Sequence, residues 1–301
     1  MNFRGLLFIS LICFPACALV SNPEKSGGEI IAIPEGPWCE FHLSPDGNWL
    51  SYIGDYHPEN SGQDFQRQTV FVELSTGEAH HPELNNELKQ LIADGLGPDG
   101  NACFSDDNRT AYISSSGVVP RTERERDRAE LQQDGGVAFS VPGYRPERNR
   151  FKVDLTSKPL QMVRTDEVKC TEPQNPVPPP IRIEQQGGNL IQLYNSENNL
   201  IAEHKPRGRI NRGISMVELS RSSWHRYYAV SPDQTQLAYQ VFESGPLFSS
   251  PTHGYMVDLQ EGSAKFLAAS VYSFSWDPIG NLYACTSHSN HNNVIARWKP
   301  N

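Results

Sequence analysis

Residues 41–53 read Phe41-His42-Leu43-Ser44-Pro45-Asp46-Gly47-Asn48-Trp49-Leu50-Ser51-Tyr52-Ile53. A short apolar run meets a polar turn, and a second apolar run follows. Pro45 presets φ for the second position of a turn. The Asp46 carboxylate accepts backbone N–H groups within that turn, and Gly47 tolerates positive φ. In the second run Leu50 and Tyr52 fall on one face of an extended chain. The segment therefore predicts a β-hairpin.

Three further segments carry the same pattern: 102–114, 227–241 and 273–287. Their turn acids are Asp107, Asp233 and Asp277, with Pro232 and Asn108 in the roles of Pro45 and Gly47. The aligned aspartates lie about 61, 126 and 44 residues apart. Propeller blades repeat every ~40–50 residues, so the long gap hides one or two degenerate blades. Residues 181–205 are the candidate, with strands near 181–185, 189–194 and 199–204. Strand pairs at Thr69–Leu74 with Gly77–His80, Arg150–Leu155 with Leu160–Val163, and Tyr255–Leu259 with Lys265–Leu267 fill out three others. The expected fold is all-β: a β-propeller of five or six four-stranded blades. After Val294–Trp298 the last blade lacks an outer strand, and Glu29–Ile33 is read as supplying it, which removes an exposed sheet edge. One domain over 29–301 results. An insertion at 117–148 holds the alternating charges of RTERERDRAE (121–130), read as a solvated excursion, with a lid or docking arm as the functional alternative. A connector at 172–180 holds five prolines and is read as extended.

Ser44-Pro45-Asp46-Gly47-Asn48-Trp49-Leu50-Ser51-Tyr52 resembles the repeat of the TolB-type, WD-like propeller family, and the repeats around Ser231 and Ser275 are looser versions of it. The resemblance covers about half of the chain beyond its leader. It implies a propeller and says almost nothing about the task, because that fold hosts many unrelated ones.

The first twenty residues read as an export signal. Arg4 gives a basic start, and Gly5–Cys13 is apolar but too short to span a membrane. Phe14-Pro15-Ala16-Cys17 resembles a lipoprotein box with Cys17 as the lipidated residue, while Ala16-Cys17-Ala18 offers ordinary cleavage. Residues 1–18 are thus a signal peptide and 19–28 a flexible linker. Ala18 after Cys17 resembles outer-membrane sorting. Cysteine usage agrees with an oxidising compartment: Cys39, Cys103, Cys170 and Cys285 allow two disulfides in three pairings, among which spacing does not choose. The expected location is the periplasm or the outer membrane. With 301 residues, 37% hydrophobic and 20% charged, the chain has the composition of a folded protein. A net charge of -9 argues against nucleic acid as partner, since phosphate binding rests on Lys and Arg.

Chemistry has few footholds in this sequence. No GxSxG elbow and no Gly-rich phosphate loop occurs, and no cysteine spacing suits zinc. His288 and His291 form an HxxH in a polar loop, and His80-His81 are adjacent on opposite faces; both read as surface features. Asp46, Asp107, Asp233 and Asp277 have structural work in turns. Asp55 and Glu243 are the acids best placed for an axial mouth, where paired carboxylates serve glycoside hydrolysis. Trp224, His225, Arg226 and Tyr227 precede a repeat and are candidates for a binding face, because Trp, Tyr and Arg concentrate binding energy. The sequence therefore suggests a non-catalytic propeller binding an envelope protein or peptide, with no cofactor or metal and with membrane contact only through an N-terminal lipid. The rivals are a carbohydrate-active hydrolase and a periplasmic small-ligand sensor.

Overall fold

The structure, a computed structural model, describes residues 22–34, 39–56, 66–93, 96–98, 100, 102–120, 144–170, 181–186, 190–205, 217–218, 228–242, 252–291 and 293–300. Strand β1 (Glu29–Ala32) is followed by a first sheet, β2 (Phe41–Leu43), β3 (Trp49–Tyr56), β4 (Gln66–Glu73) and β5 (Glu78–His80). Helix α1 (Asn86–Ala93) leads to a second sheet of β6 (Ala102–Phe104), β7 (Thr110–Pro120), β8 (Tyr144–Asp154) and β9 (Gln161–Arg164). The third sheet holds β10 (Arg182–Gln186), β11 (Leu190–Tyr194), β12 (Leu200–His204) and β13 (Val217–Glu218). The fourth runs through β14 (Tyr228–Val230), β15 (Gln236–Phe242), β16 (Thr252–Asp258) and β17 (Ala264–Ala269). A fifth contains β18 (Val271–Trp276), β19 (Leu282–Ser287) and β20 (Asn293–Trp298), with β1 as its fourth strand. Every pairing inside a sheet is antiparallel.

Among the described residues, apolar side chains from adjacent sheets form four cores. Phe71 meets Phe104 and Phe151 between the first and second sheets. Leu50 and Val72 meet Tyr283 and Ile295 between the first and fifth. Met256 meets Phe274 and Trp298 between the fourth and fifth, and Ile191 meets Leu237 and Tyr255 between the third and fourth. The opening strands β6, β2, β18 and β14 are neighbours in that order. The chain is thus an all-β fold of five antiparallel sheets, stacked face to face in a propeller-like series.

Each alternation from the sequence serves two such cores, one on each face of a sheet. Leu50 faces the fifth sheet while Trp49 faces the second, as a period of two requires. The sequence pattern missed α1. Its signal is a spacing of i, i+3, i+4 in Leu88, Leu91 and Ile92, behind an Asn85 side chain that accepts the Leu88 N–H at 2.9 Å. Leu88 is fully buried between the first two sheets.

Four findings refine the sequence reading. Residues 22–28, expected as the end of a flexible linker, form a capped 3-10 turn over Pro23–Ser26. Ser26 Oγ donates to the Leu267 carbonyl at 2.5 Å, and the Trp298 indole N–H donates to Ser26 Oγ at 3.0 Å. The flanks of the expected insertion are strand, since β7 and β8 pair without interruption from Thr110↔Asp154 to Pro120↔Tyr144. Residues 121–143, including the charged run, lie outside the described residues. The third sheet draws its fourth strand from Val217–Glu218, which pairs with β10. In the other sheets the strand at that position precedes its neighbour in the chain, whereas β13 follows β10 to β12. Finally, Asp277 does not occupy the place of Asp46. The Gly280 N–H bonds the Asp277 carbonyl as the Gly47 N–H bonds that of Ser44, so Asp277 stands at the serine position of the motif.

Candidate functional site

Strand directions give the molecule two unlike ends. The turns 44–48, 105–109, 231–235 and 277–281 join first to second strands, and 74–77, 155–160 and 259–263 join third to fourth. All lie at one end. The 195–199 turn joins them, because a Cβ at Gly262 would sit 2.5 Å from the Ile201 carbonyl oxygen. At the opposite end lie the strand termini Tyr56 and Gln66, Pro120 and Tyr144, Gln186 and Leu190, Phe242 and Thr252, and Ser287 and Asn293, together with the crossover that carries α1.

The tight-turn end holds the repeated aspartates. Ser44 Oγ donates to Asp46 Oδ1 at 2.6 Å and accepts the Trp49 N–H at 2.9 Å, while the Asn48 N–H reaches Asp46 Oδ1 at 3.0 Å. Ser105 with Asp107, and Ser231 with Asp233, repeat this arrangement. The Ser105 hydroxyl, then the Arg109 N–H, hold Asp107 below the usual carboxylate range, and the Ser231 hydroxyl and Thr235 N–H do the same for Asp233. Asp277 differs in being buried. It accepts from the Ile279 and Asn281 N–H groups, from Asn281 Nδ2 at 2.6 Å and from Tyr283 Oη at 3.3 Å. These four acids are fully engaged in turn formation. At the same end the Asn108 side chain accepts the Asp46 N–H at 3.3 Å, and the Lys158 ammonium meets Glu73 at 2.5 Å, so neighbouring sheets are also joined through their turns.

The loop end gathers polar side chains that the sequence reading did not single out. Gln68, Gln240, His253 and Asn293 are buried toward the strand ends there, and Ser115 and Asn149 are buried opposite one another midway along β7 and β8. Their signal is faint: each continues a strand whose other half is apolar. Thr69 Oγ1 donates to the Pro98 and Gly100 carbonyls at 3.0 and 2.7 Å, and Asn149 Nδ2 reaches the Leu96 carbonyl at 3.5 Å. The crossover loop is thereby wedged between the first two sheets. The rings of His288 and His291 lie 5.1 Å apart, with His288 buried and its Nδ1 accepting the Asn290 N–H at 3.2 Å. Tyr272, half exposed at the start of β18, contacts Ser287 Oγ at 3.1 Å.

Other expectations fall elsewhere. Trp224, His225, Arg226, Tyr227, Glu243 and Cys17 lie outside the described residues, as do the side chain of Asp55 and the connector 172–180. The cysteines pair as Cys39–Cys285, joining the first and fifth sheets, and as Cys103–Cys170. His80 packs against Trp49 and stands 3.8 Å from Glu73. A half-buried histidine was missed altogether: His204 Nε2 meets the buried Tyr239 hydroxyl in the third–fourth interface, and Tyr255 lies against the imidazole. Burial pushes His204 down to about 4 and Tyr239 well above its ordinary value.

No known protein family and no curated protein matches the chain. Among solved structures it is similar to the AtxE2 isopeptidase with an astexin bound, at 8% identity over 93% of this chain and 51% of that one, with a TM-score of 0.43. It is also similar to an oligogalacturonate lyase from Vibrio parahaemolyticus (10% identity, 86% and 77% covered, TM-score 0.29). The β-propeller domain of the Trilobed protease from Pyrococcus furiosus is a third (11% identity, 90% and 69% covered, TM-score 0.21). The chain spans about half the length of the isopeptidase. Likenesses this distant carry nothing about activity, and the description of the fold rests on the strand pairings above.

Proposed function

We propose that this chain is a closed five-bladed propeller of TolB type, exported to the cell envelope, that binds a protein or peptide at its loop end without catalysing a reaction. The observation that carries this reading is the asymmetry of the ends. One end is spent on short turns whose polar groups satisfy one another. The other combines long connections, buried amides and imidazoles, and an exposed tyrosine, the composition of an adaptable recognition surface. A rigid stack of sheets supports those loops, as binding loops require. The hydrolase alternative needs two carboxyl groups about 5–9.5 Å apart in an open site. Among the described residues the one buried carboxylate is Asp277, at the end away from the loops and bound by four donors.

Capture from envelope extracts with the full chain, read by mass spectrometry, tests the proposal. Tyr272→Arg at the loop end should abolish recovery of the partner, and Ser75→Arg at the tight-turn end should leave it intact. Recovery unaffected by Tyr272→Arg but lost with Ser75→Arg would overturn it.

A further inference from the structure

The stacked series of sheets ends, at its second and third members, on faces that no apolar core covers among the described residues. Within the second sheet, Ile113, Phe151 and Val153 point toward the first sheet. Alternation turns Ser114, Arg148, Arg150 and Lys152 to the opposite face. All four are exposed, and so is Val163, which pairs with Lys152 from β9. A chain of net charge -9 thus carries a row of three cations on one open sheet face.

That row has no answer within the described residues. No described carboxylate stands within ion-pair distance of Arg148, Arg150 or Lys152. Arg150 donates to the Asp166 carbonyl at 3.2 Å, a neutral group that leaves its charge uncompensated. Lys152 acts on Asp107 and Asp154 only at longer range, and both acids are occupied by their own turns. On the segment that returns toward Cys103, Glu167 is paired with Lys169 at 3.4 Å. The polar face of the third sheet satisfies itself: Glu184 pairs with Arg182 at 3.1 Å, and Glu203 accepts the Gln192 amide at 2.7 Å.

Arg148, Arg150 and Lys152 leave one strand at every second residue, ~7 Å apart. Side chains on one face of any extended peptide repeat at the same spacing. A segment with carboxylates at alternate positions, lying along β8, meets all three cations at once, and Val163 adds an apolar contact. We infer that this face docks an extended acidic peptide segment of a partner protein, read by the period-two register of its carboxylates. A phosphate polymer suits it less, because three cations release few counterions and the net charge repels the rest of such a chain. The surface lies on a sheet face and not at the loop end, so the two readings stand or fall separately.

The test uses the full chain and a fluorescein-labelled peptide of alternating Glu and Thr, read by anisotropy at low ionic strength. A peptide of the same composition with its Glu residues in one block controls for register. The alternating peptide should bind saturably and several-fold tighter than the block peptide. Arg148→Gln with Arg150→Gln should weaken it by about tenfold, and Lys152→Gln alone by less. Lys89→Gln with Lys205→Gln makes the same change of net charge at exposed positions elsewhere and should leave binding unchanged. Urea midpoints equal to that of the parent show that each variant is folded. Equal binding of the two peptides, equal weakening by the lysine pair, tighter binding of an oligothymidylate of the same charge, or no saturable binding would each overturn the docking surface.

Discussion

Ser44, Ser105 and Ser231 each bridge two strands through one hydroxyl, which donates to the turn aspartate and accepts an N–H five residues on. Losing it removes the acceptor of that N–H and one of the donors to the aspartate oxygen, which keeps the N–H two residues beyond the aspartate. Ser231→Ala should lower stability by about 1–2 kcal/mol, read as a shift in urea midpoint at unchanged slope. Gln234 sits in the same turn with φ 60, where Gly47 and Gly280 occupy the equivalent places. Relief of left-handed strain offsets the added chain entropy, so Gln234→Gly should be neutral or stabilising by about 0.5–1 kcal/mol in the same assay. His204 gives a pH dependence. Its folded value of about 4 lies below the ordinary 6.5 because of burial. Between those values the unfolded chain binds a proton that the folded one excludes. Stability is therefore full above pH 6.5 and falls as the pH drops toward 4, by on the order of 3 kcal/mol. His204→Gln should flatten this interval in midpoints measured from pH 7 to 4; an unchanged slope would assign the loss elsewhere. The serine–aspartate turns were legible because local sequence makes them. The His204–Tyr239 contact was not, since its partners come from different sheets 35 residues apart.

The β7–β8 hairpin outgrows its sheet. Arg150 bonds outward, its carbonyl accepting the Thr165 N–H at 2.9 Å. By alternation Arg148 and Pro146 also present their backbone outward on that edge, and Ser114, Ser116, Val118 and Pro120 do so on the other. Pro146 and Pro120 thus occupy outward positions where an N–H would recruit another strand, a known way to blunt an edge. Disulfides act at this scale too. Cys39–Cys285 closes a separation of 246 residues and Cys103–Cys170 one of 67. In the chain-entropy account these stabilise by about 5 and about 4 kcal/mol. Cys39→Ala with Cys285→Ala should lower the thermal midpoint more than the other double replacement, as calorimetry would show. The hairpin repeats and the outer strand pairs were visible in the sequence from turn residues and alternation. The length of β7 and β8 was concealed by the charged run between them, and α1 by its brevity.

At the scale of the molecule, β1 is the fourth strand of the last sheet, and the fifth–first core includes Ala32 and Cys39 beside Tyr283 and Cys285. Deleting residues up to Ile33 would bare the β20 edge, whose Val294, Ile295 and Ala296 are fully buried. Such a protein should associate through that edge, with light scattering reporting dimers or larger species in place of a monomer. The Glu29 carboxylate, held low by the Arg297 guanidinium, adds an exposed ion pair to the same seam.

The sequence by itself determined the all-β class, the recurring hairpins, the degenerate third unit at 181–205 and the supply of the last strand from the N-terminus. These follow from alternation and turn chemistry, which act between residues close along the chain. Only the tertiary structure decided which cysteines pair, that Asp277 replaces a serine, that β13 returns to pair with β10, and which buried polar residues share one end. Each of these depends on which sheet faces which, and that is set by packing between residues dozens to hundreds of positions apart.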